Sequence, residues 1–121
     1  MNILFLILLF VCHFLADFTW LSRPFMLKAK RFGTPVWPIL AHALVHGVLM
    51  FLLSLCFLSF SAAILVFIIQ TLAHWLIDIG KGRATYYIKS TQDNTNVEYF
   101  VLFGLDQTLH NLTIILIWYF I

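Results

Sequence analysis

Histidine and aspartate side chains recur in this sequence at a spacing of four residues, inside stretches that are otherwise apolar. On an α-helix this spacing places two side chains on one face, about one turn apart. Imidazole and carboxylate groups bind divalent metal ions, so each pair is a candidate part of a metal site. The pairs are His13 with Asp17, His42 with His46, His74 with Asp78, and Asp106 with His110.

Random placement does not explain these pairs. The chain has five histidines and four aspartates, and nine scattered residues would give roughly half an i,i+4 pair on average. Only Asp93, in a polar stretch, stays outside the pattern. We therefore predict that the eight paired residues form one metal site.

The elements that must position the pairs are hydrophobic segments. Hydrophobic residues make up 63% of the 121 residues and charged residues only 10%, whereas a soluble domain carries roughly 25% charged residues. This composition predicts one integral membrane domain over residues 1–121, and the net charge of +2 gives no indication of nucleic-acid binding. The segments predicted to cross the membrane are about 3–21, 36–57 (or from 39), 62–79 and 97–120.

The predicted fold class is all-α, a four-transmembrane-helix bundle. Two basic loops connect its helices, one over residues 22–38 with a short interfacial helix at 24–31, and one over residues 81–96. Gly80 and Gly82 are predicted to end the third segment, and Asn96 to cap the fourth. Because basic residues concentrate on the cytoplasmic side, we expect both loops in the cytoplasm and both termini outside.

This topology places the four pairs at one depth. Segments one and three run toward the cytoplasm and carry their pairs late, whereas segments two and four carry theirs early, so all eight residues fall within about three turns of one another. An Asp inside a transmembrane helix costs at least about 2.5–3.5 kcal/mol and needs a partner or a cavity. Two divalent transition-metal ions would meet that need, and mixed nitrogen and oxygen ligands suit Zn, Mn, Fe, Co or Ni.

Three further polar residues, Gln70, Gln107 and Asn111, lie beside the pairs in the sequence. They are predicted to hydrogen-bond the metal ligands. Hydrogen bonding between helices, without any metal, is the alternative role for these three and for any single His or Asp pair. For the four pairs together, a metal-free network would leave carboxylates underpaired.

The motifs run in the order H-F-L-A-D from His13, H-x-x-x-H from His42, H-W-L-I-D-x-x-K from His74 and D-Q-x-x-H from Asp106. This order resembles a small bacterial and phage membrane-protein family of unknown function and, more distantly, predicted inner-membrane metal-dependent hydrolases. The resemblance implies a multi-pass protein of the bacterial inner membrane with a metal site. Many relatives have Gln after the first Asp, where this chain has Phe18, so a substrate contact by that Gln would be lost or moved.

The first function hypothesis is a membrane-embedded metal-dependent hydrolase. One ion would activate a water and the other would polarise the scissile group, with Asp78 or Asp106 as the catalytic base. A lipid phosphate ester is the expected substrate, because basic side chains are expected to ring the mouth of the site and attract an anionic headgroup. These are Arg23, Lys28, Lys30, Arg31, Lys81 and Arg83.

Two other functions are open at this point. A structural metal site could staple four short helices in a membrane protein that acts by binding a partner. A divalent-cation carrier or channel, expected to act as an oligomer, would use intramembrane His and Asp as an ion path. Against transport, the outer half of the segments carries no second layer of ionisable residues.

Overall fold

The computed structural model describes residues 2–121, and this range is helical without any strand. The predicted all-α class is therefore confirmed. The elements are α1 (Ile3–Phe18), α2 (Pro24–Phe32), α3 (Val36–Ser54), α4 (Phe60–Tyr87) and α5 (Val97–Phe120), with a short 3-10 helix at Lys89–Gln92.

Four of the helices form a ring around a common interior. Helix α1 packs against α3 and α5, and α4 also packs against α3 and α5, so α1 and α4 lie diagonally opposite each other. The indole nitrogen of Trp118, near the end of α5, donates a hydrogen bond of 3.0 Å to the carbonyl of Asn2, just before α1. Helices α1 and α5 are therefore antiparallel. The short helix α2 lies outside the ring against α3 and α4.

Three helices, α3, α4 and α5, are long and apolar enough to cross a membrane. Helix α1 is equally apolar but has only 16 residues, which span about 24 Å. Large hydrophobic side chains such as Leu76 and Val101 are exposed on the outside of the bundle. Lipid would cover such a surface, and these features support the predicted membrane location.

The interior of the bundle has an apolar half and a polar half. The apolar half lies where α1 begins and α5 ends, and the polar half lies at the opposite end. On α4 the change from one to the other follows a single face, through Val66, Gln70, His74 and Asp78, all of which are buried. The apolar half is filled by Phe5, Leu9, Met50, Val66, Ile114 and Ile117.

The predicted end of the third segment is wrong. Helix α4 continues through Gly80 and Gly82 to Tyr87, instead of ending at residue 79. Gly82 is buried against α2, where an added Cβ would overlap backbone atoms of Gly33 and Lys30. The missing side chain allows two backbones to approach closely, and this packing outweighs the weak helix propensity of glycine.

The ends of the other helices differ from prediction only locally. Helix α2 begins at Pro24, as predicted, and ends at Phe32. Gly33 follows as its C-cap, with a φ of 70° that glycine adopts without strain. Helix α1 ends at Phe18 rather than near residue 21. Asn96 does occupy the N-cap position of α5, but its side chain donates to the carbonyl of Ser90 (3.0 Å) instead of capping the helix.

We expect Gly82→Ala to destabilise the protein by about 1–3 kcal/mol, because the new methyl group overlaps the backbone of α2. Gly80→Ala is the matched control, since no atom lies within 4 Å of a Cβ at this position, and alanine is the better helix former. Thermal unfolding of the detergent-solubilised variants measures both effects. Equal stability of the two variants would contradict the close contact between α2 and α4.

Candidate metal centre

The eight paired residues meet in one buried cluster at the polar end of the bundle, as the sequence analysis expected. Each of the four ring helices contributes one pair, and no side chain of the eight is more than 6% exposed. The i,i+4 spacing turns both members of each pair inward, and the antiparallel order of the helices brings the pairs to one level. The members are His13, Asp17, His42, His46, His74, Asp78, Asp106 and His110.

Two groups within this cluster have the geometry to hold a metal ion. In the first group, Asp17, His42, His46 and His74 offer one ligand atom each, all within 4.8 Å of one another. Asp17 Oδ1, for example, lies 2.8 Å from His42 Nε2. The second group consists of His74, Asp78 and His110 under the same criterion. Because His74 belongs to both groups, the two possible ion positions are adjacent.

His13 and Asp106 lie at the edge of the cluster, outside both groups. His13 Nε2 is 3.5 Å from Asp17 Oδ2, and Asp106 Oδ1 is 3.5 Å from His110 Nε2. Gln107 connects these two edge residues. Its Nε2 donates to Asp106 Oδ2 (3.1 Å), and its Oε1 lies 3.4 Å from His13 Nε2. Gln107 therefore contacts two of the eight paired residues, and its predicted hydrogen bond to a metal ligand stays a prediction.

The other two expected supporting residues behave differently. Gln70 is buried one turn before His74, but its Oε1 has no hydrogen-bond partner within residues 2–121. Asn111 is exposed on the outer face of α5, so its predicted role beside the cluster is wrong. A residue that directly follows His110 is rotated about 100° from it around the helix axis, and this rotation carries Asn111 away from the interior.

Ser22, which the sequence analysis missed, orients the His42 ring. The Ser22 hydroxyl donates to the carbonyl of Ala16 (2.9 Å), and its oxygen lies 3.3 Å from His42 Nδ1. Since the hydroxyl hydrogen is already used, this oxygen accepts the Nδ1 hydrogen and leaves His42 Nε2 with its lone pair toward the cluster. Such a hydrogen bond commonly orients a metal-binding histidine. A serine between two helices gives no recognisable motif.

Lys30 contacts the cluster directly, and the sequence did not lead us to expect this contact. Its ammonium donates to Asp17 Oδ1 (3.1 Å) and lies 3.2 Å from Asp78 Oδ2. Burial lowers the pKa of this ammonium, but the two carboxylates outweigh burial and raise the pKa above its usual value. A signal was present in the sequence, because Met26, Ala29, Lys30 and Gly33 share one face of α2 at helical spacing.

Several buried polar atoms of the cluster have no hydrogen-bond partner in the part of the chain that the structure describes. Such unsatisfied groups are rare in protein interiors. Imidazole nitrogens and carboxylate oxygens that face one another are the donor set of a divalent transition metal, so the buried His and Asp groups could hold a metal ion. The atoms are His74 Nε2, His110 Nε2, both carboxylate oxygens of Asp78, and Asp106 Oδ1.

A cavity of about 670 Å³ lies beside the cluster. Asp17, Lys30 and Asp106 line its inner part, and side chains of α1, α2, α4, α5 and the segment after α4 line the rest. Of the six basic residues predicted around the mouth, Lys30, Arg31 and Lys81 line this cavity. Arg23, Lys28 and Arg83 are exposed elsewhere on the surface.

We expect Lys30→Met to destabilise the metal-free protein by about 3–5 kcal/mol, because two buried carboxylates lose their cation. The Lys30 side chain is only 14% exposed, so water cannot replace it. A bound divalent ion would compensate the same carboxylates, and the loss should shrink when Zn²⁺ or Mn²⁺ is in excess. Thermal unfolding with chelator and with metal measures this difference.

Lys28→Met, on the exposed face of the same helix, is the control and is expected to change stability little with or without metal. A destabilisation by Lys30→Met that is equal in chelator and in metal would contradict compensation by an ion bound in this cluster.

No curated protein and no solved structure matches this chain, so no matching name supports the distant resemblance to hydrolases. A family model, described as protein of unknown function (DUF3307), matches residues 5–121. This range contains every residue of the cluster and of the cavity beside it. The chain therefore belongs to the DUF3307 family of proteins of unknown function.

Proposed function

We propose that this protein is a membrane-embedded, metal-dependent hydrolase with a two-metal centre. The observation that supports this most is the pair of adjacent ligand groups that share His74, next to a cavity large enough for a small-molecule substrate. Two neighbouring divalent ions are a recurrent arrangement in hydrolases, where they activate a water and polarise the scissile bond. Neither ligand group contains a cysteine, and Ser22, which reaches His42, donates its hydroxyl hydrogen to the carbonyl of Ala16. Both observations favour direct attack by water.

The geometry distinguishes the two carboxylates that the sequence analysis offered as the base. Asp78 is fully buried among His74, His110 and Lys30, at 3.2–3.4 Å from each, and this position suits a metal ligand. Asp106 lines the cavity, lies outside both ligand groups and has an Oδ1 without a hydrogen-bond partner among the described residues. We therefore assign the proton-accepting role to Asp106 and a ligand role to Asp78.

Transport of metal ions is a weaker proposal. An ion that left the cluster toward the apolar end would meet Leu9, Met50, Val66 and Ile114, all fully buried. These side chains offer no ligand atoms, and moving a cation through such a region without partners is strongly unfavourable.

A structural metal site is favoured by one observation. Each of the four ring helices contributes side chains to the same cluster, so a bound ion would hold the helices together. The hydrolase proposal ranks first because the cavity gives a substrate access to the cluster, which a purely structural site does not need.

The hydrolase proposal predicts about two transition-metal ions per chain in detergent-purified wild-type protein. His42→Ala/His46→Ala is expected to lose one ion, His110→Ala the other, and His74→Ala to reduce the occupancy of both, because His74 belongs to both groups. Elemental analysis measures the content. Asp93→Asn is the control, since Asp93 is exposed and outside the cluster. A folded wild-type protein without metal under non-chelating conditions would refute both the hydrolase and the structural metal site.

We propose that the chain crosses the inner membrane of a bacterial cell four times. The short helix α1 is one of the four crossing segments, together with α3, α4 and α5. All seven Lys and Arg residues lie at the end of the bundle that holds the cluster, within residues 23–31 and 81–89. Basic residues concentrate on the cytoplasmic side, so the cluster would lie in the cytoplasmic half and both termini outside.

Cysteine labelling in spheroplasts of a bacterial expression host tests this orientation. Cys56, exposed in the connection between α3 and α4, is expected to react with a membrane-impermeant maleimide. Lys28→Cys in a Cys56→Ser background is expected to react only after permeabilisation. The reverse pattern would contradict the proposed orientation.

A further inference from the structure

We propose that the cavity beside the cluster binds an amphiphile through a phosphate group, which Arg31 and Lys81 hold while an apolar chain leaves along α1 and α5. The amphiphile is the substrate class of the proposed hydrolase. Only the statement that it is hydrolysed rests on the proposed function. Binding itself is an independent property of the cavity.

Two cations of the cavity have no carboxylate partner. Neither Arg31 nor Lys81 has a carboxylate within 4.0 Å in the part of the chain that the structure describes. The Arg31 guanidinium lies over the Phe32 ring, 5.1 Å from its centroid. A phosphate carries enough charge and acceptor oxygens to pair with several such groups at once.

Each carboxylate of the cavity has a hydrogen-bond partner other than Arg31 and Lys81. Asp17 accepts from Lys30 and faces His42, and Asp106 accepts from Gln107. Asp93 accepts from the backbone nitrogen and the hydroxyl of Thr95, at 2.9 and 2.8 Å. The positive charges of Arg31 and Lys81 are therefore the ones left for a ligand.

The walls of the cavity favour an amphiphile over a water-soluble phosphate. Apolar side chains of α1, α2 and α5 form part of them, among them Phe18, Leu27 and Phe103, which are 52%, 47% and 37% exposed. The polar Gln92 and Asn94 line the same cavity. A lipid phosphate presents both kinds of surface, because its headgroup is polar and its chains are apolar.

The test compares charges removed from the same helices. Arg31→Gln and Lys28→Gln each remove one positive charge from α2, and Lys81→Gln and Arg83→Gln each remove one from α4, but only the first of each pair lines the cavity. The probe is dioctanoyl phosphatidic acid, titrated against detergent-solubilised protein. Dioctanoylglycerol and inorganic phosphate are titrated in parallel, and every variant is measured with chelator and with metal.

We expect Arg31→Gln and Lys81→Gln to weaken phosphatidic acid binding about tenfold each, and Lys28→Gln and Arg83→Gln to leave it within about twofold. Equal loss in all four variants would overturn the proposal, because it would show only general attraction of anionic lipid to a basic surface. Binding of inorganic phosphate as tight as that of the lipid would also overturn it, by showing a site for free phosphate.

The same titrations separate this proposal from the hydrolase. Selective loss in Arg31→Gln and Lys81→Gln with a protein that binds no metal would support the lipid site and refute the metal centre. Metal binding without any difference between the paired variants would refute the lipid site and leave the metal centre standing.

Discussion

The constraint on which this structure depends is the placement of three carboxylates inside an apolar helical bundle. Asp17, Asp78 and Asp106 have almost no contact with water, and a carboxylate in such surroundings must have charged or hydrogen-bonding partners. Five imidazoles provide some of these partners, and Lys30 provides a full positive charge. Lys30 contacts the carboxylates because α2 packs closely against α4. This close packing is possible because Gly33 and Gly82 have no side chains. One electrostatic requirement thus extends from the bundle interior to the packing of a surface helix.

The apolar half of the bundle answers a different requirement. Buried ion pairs add little net stability, because the cost of removing their charges from water offsets their attraction. Phe5, Leu9, Met50 and their neighbours pack into a continuous core at the other end, and close packing there fixes how the helices are rotated. The apolar half therefore fixes the arrangement of the helices, and the polar half carries the side chains of the cluster.

The cluster was predictable from sequence because helical periodicity, apolar surroundings and alternating helix direction all led to one level. What was not predictable depends on contacts between distant segments. The helical spacing of α2 places Lys30 on a different face from the exposed Lys28, but only the docking of α2 brings this face to the carboxylates of the bundle. Gly82 looks like a helix end, yet it serves a close contact with Gly33 that no local pattern reveals. The prediction for Asn111 is wrong for a local reason, because a residue that directly follows His110 is rotated about 100° from it around the helix axis.

His74 belongs to both ligand groups, and this would limit how two ions could be bound. A neutral imidazole coordinates through one nitrogen, so a ring that served a first ion would be withdrawn from a second unless it gave up its remaining proton. Two ions would therefore bind in order, the second with lower affinity than the first. Asp17, His42 and His46 remain to hold an ion without His74, whereas only Asp78 and His110 remain on the other side. At limiting metal the protein would hold a single ion, on the side of α1 and α3.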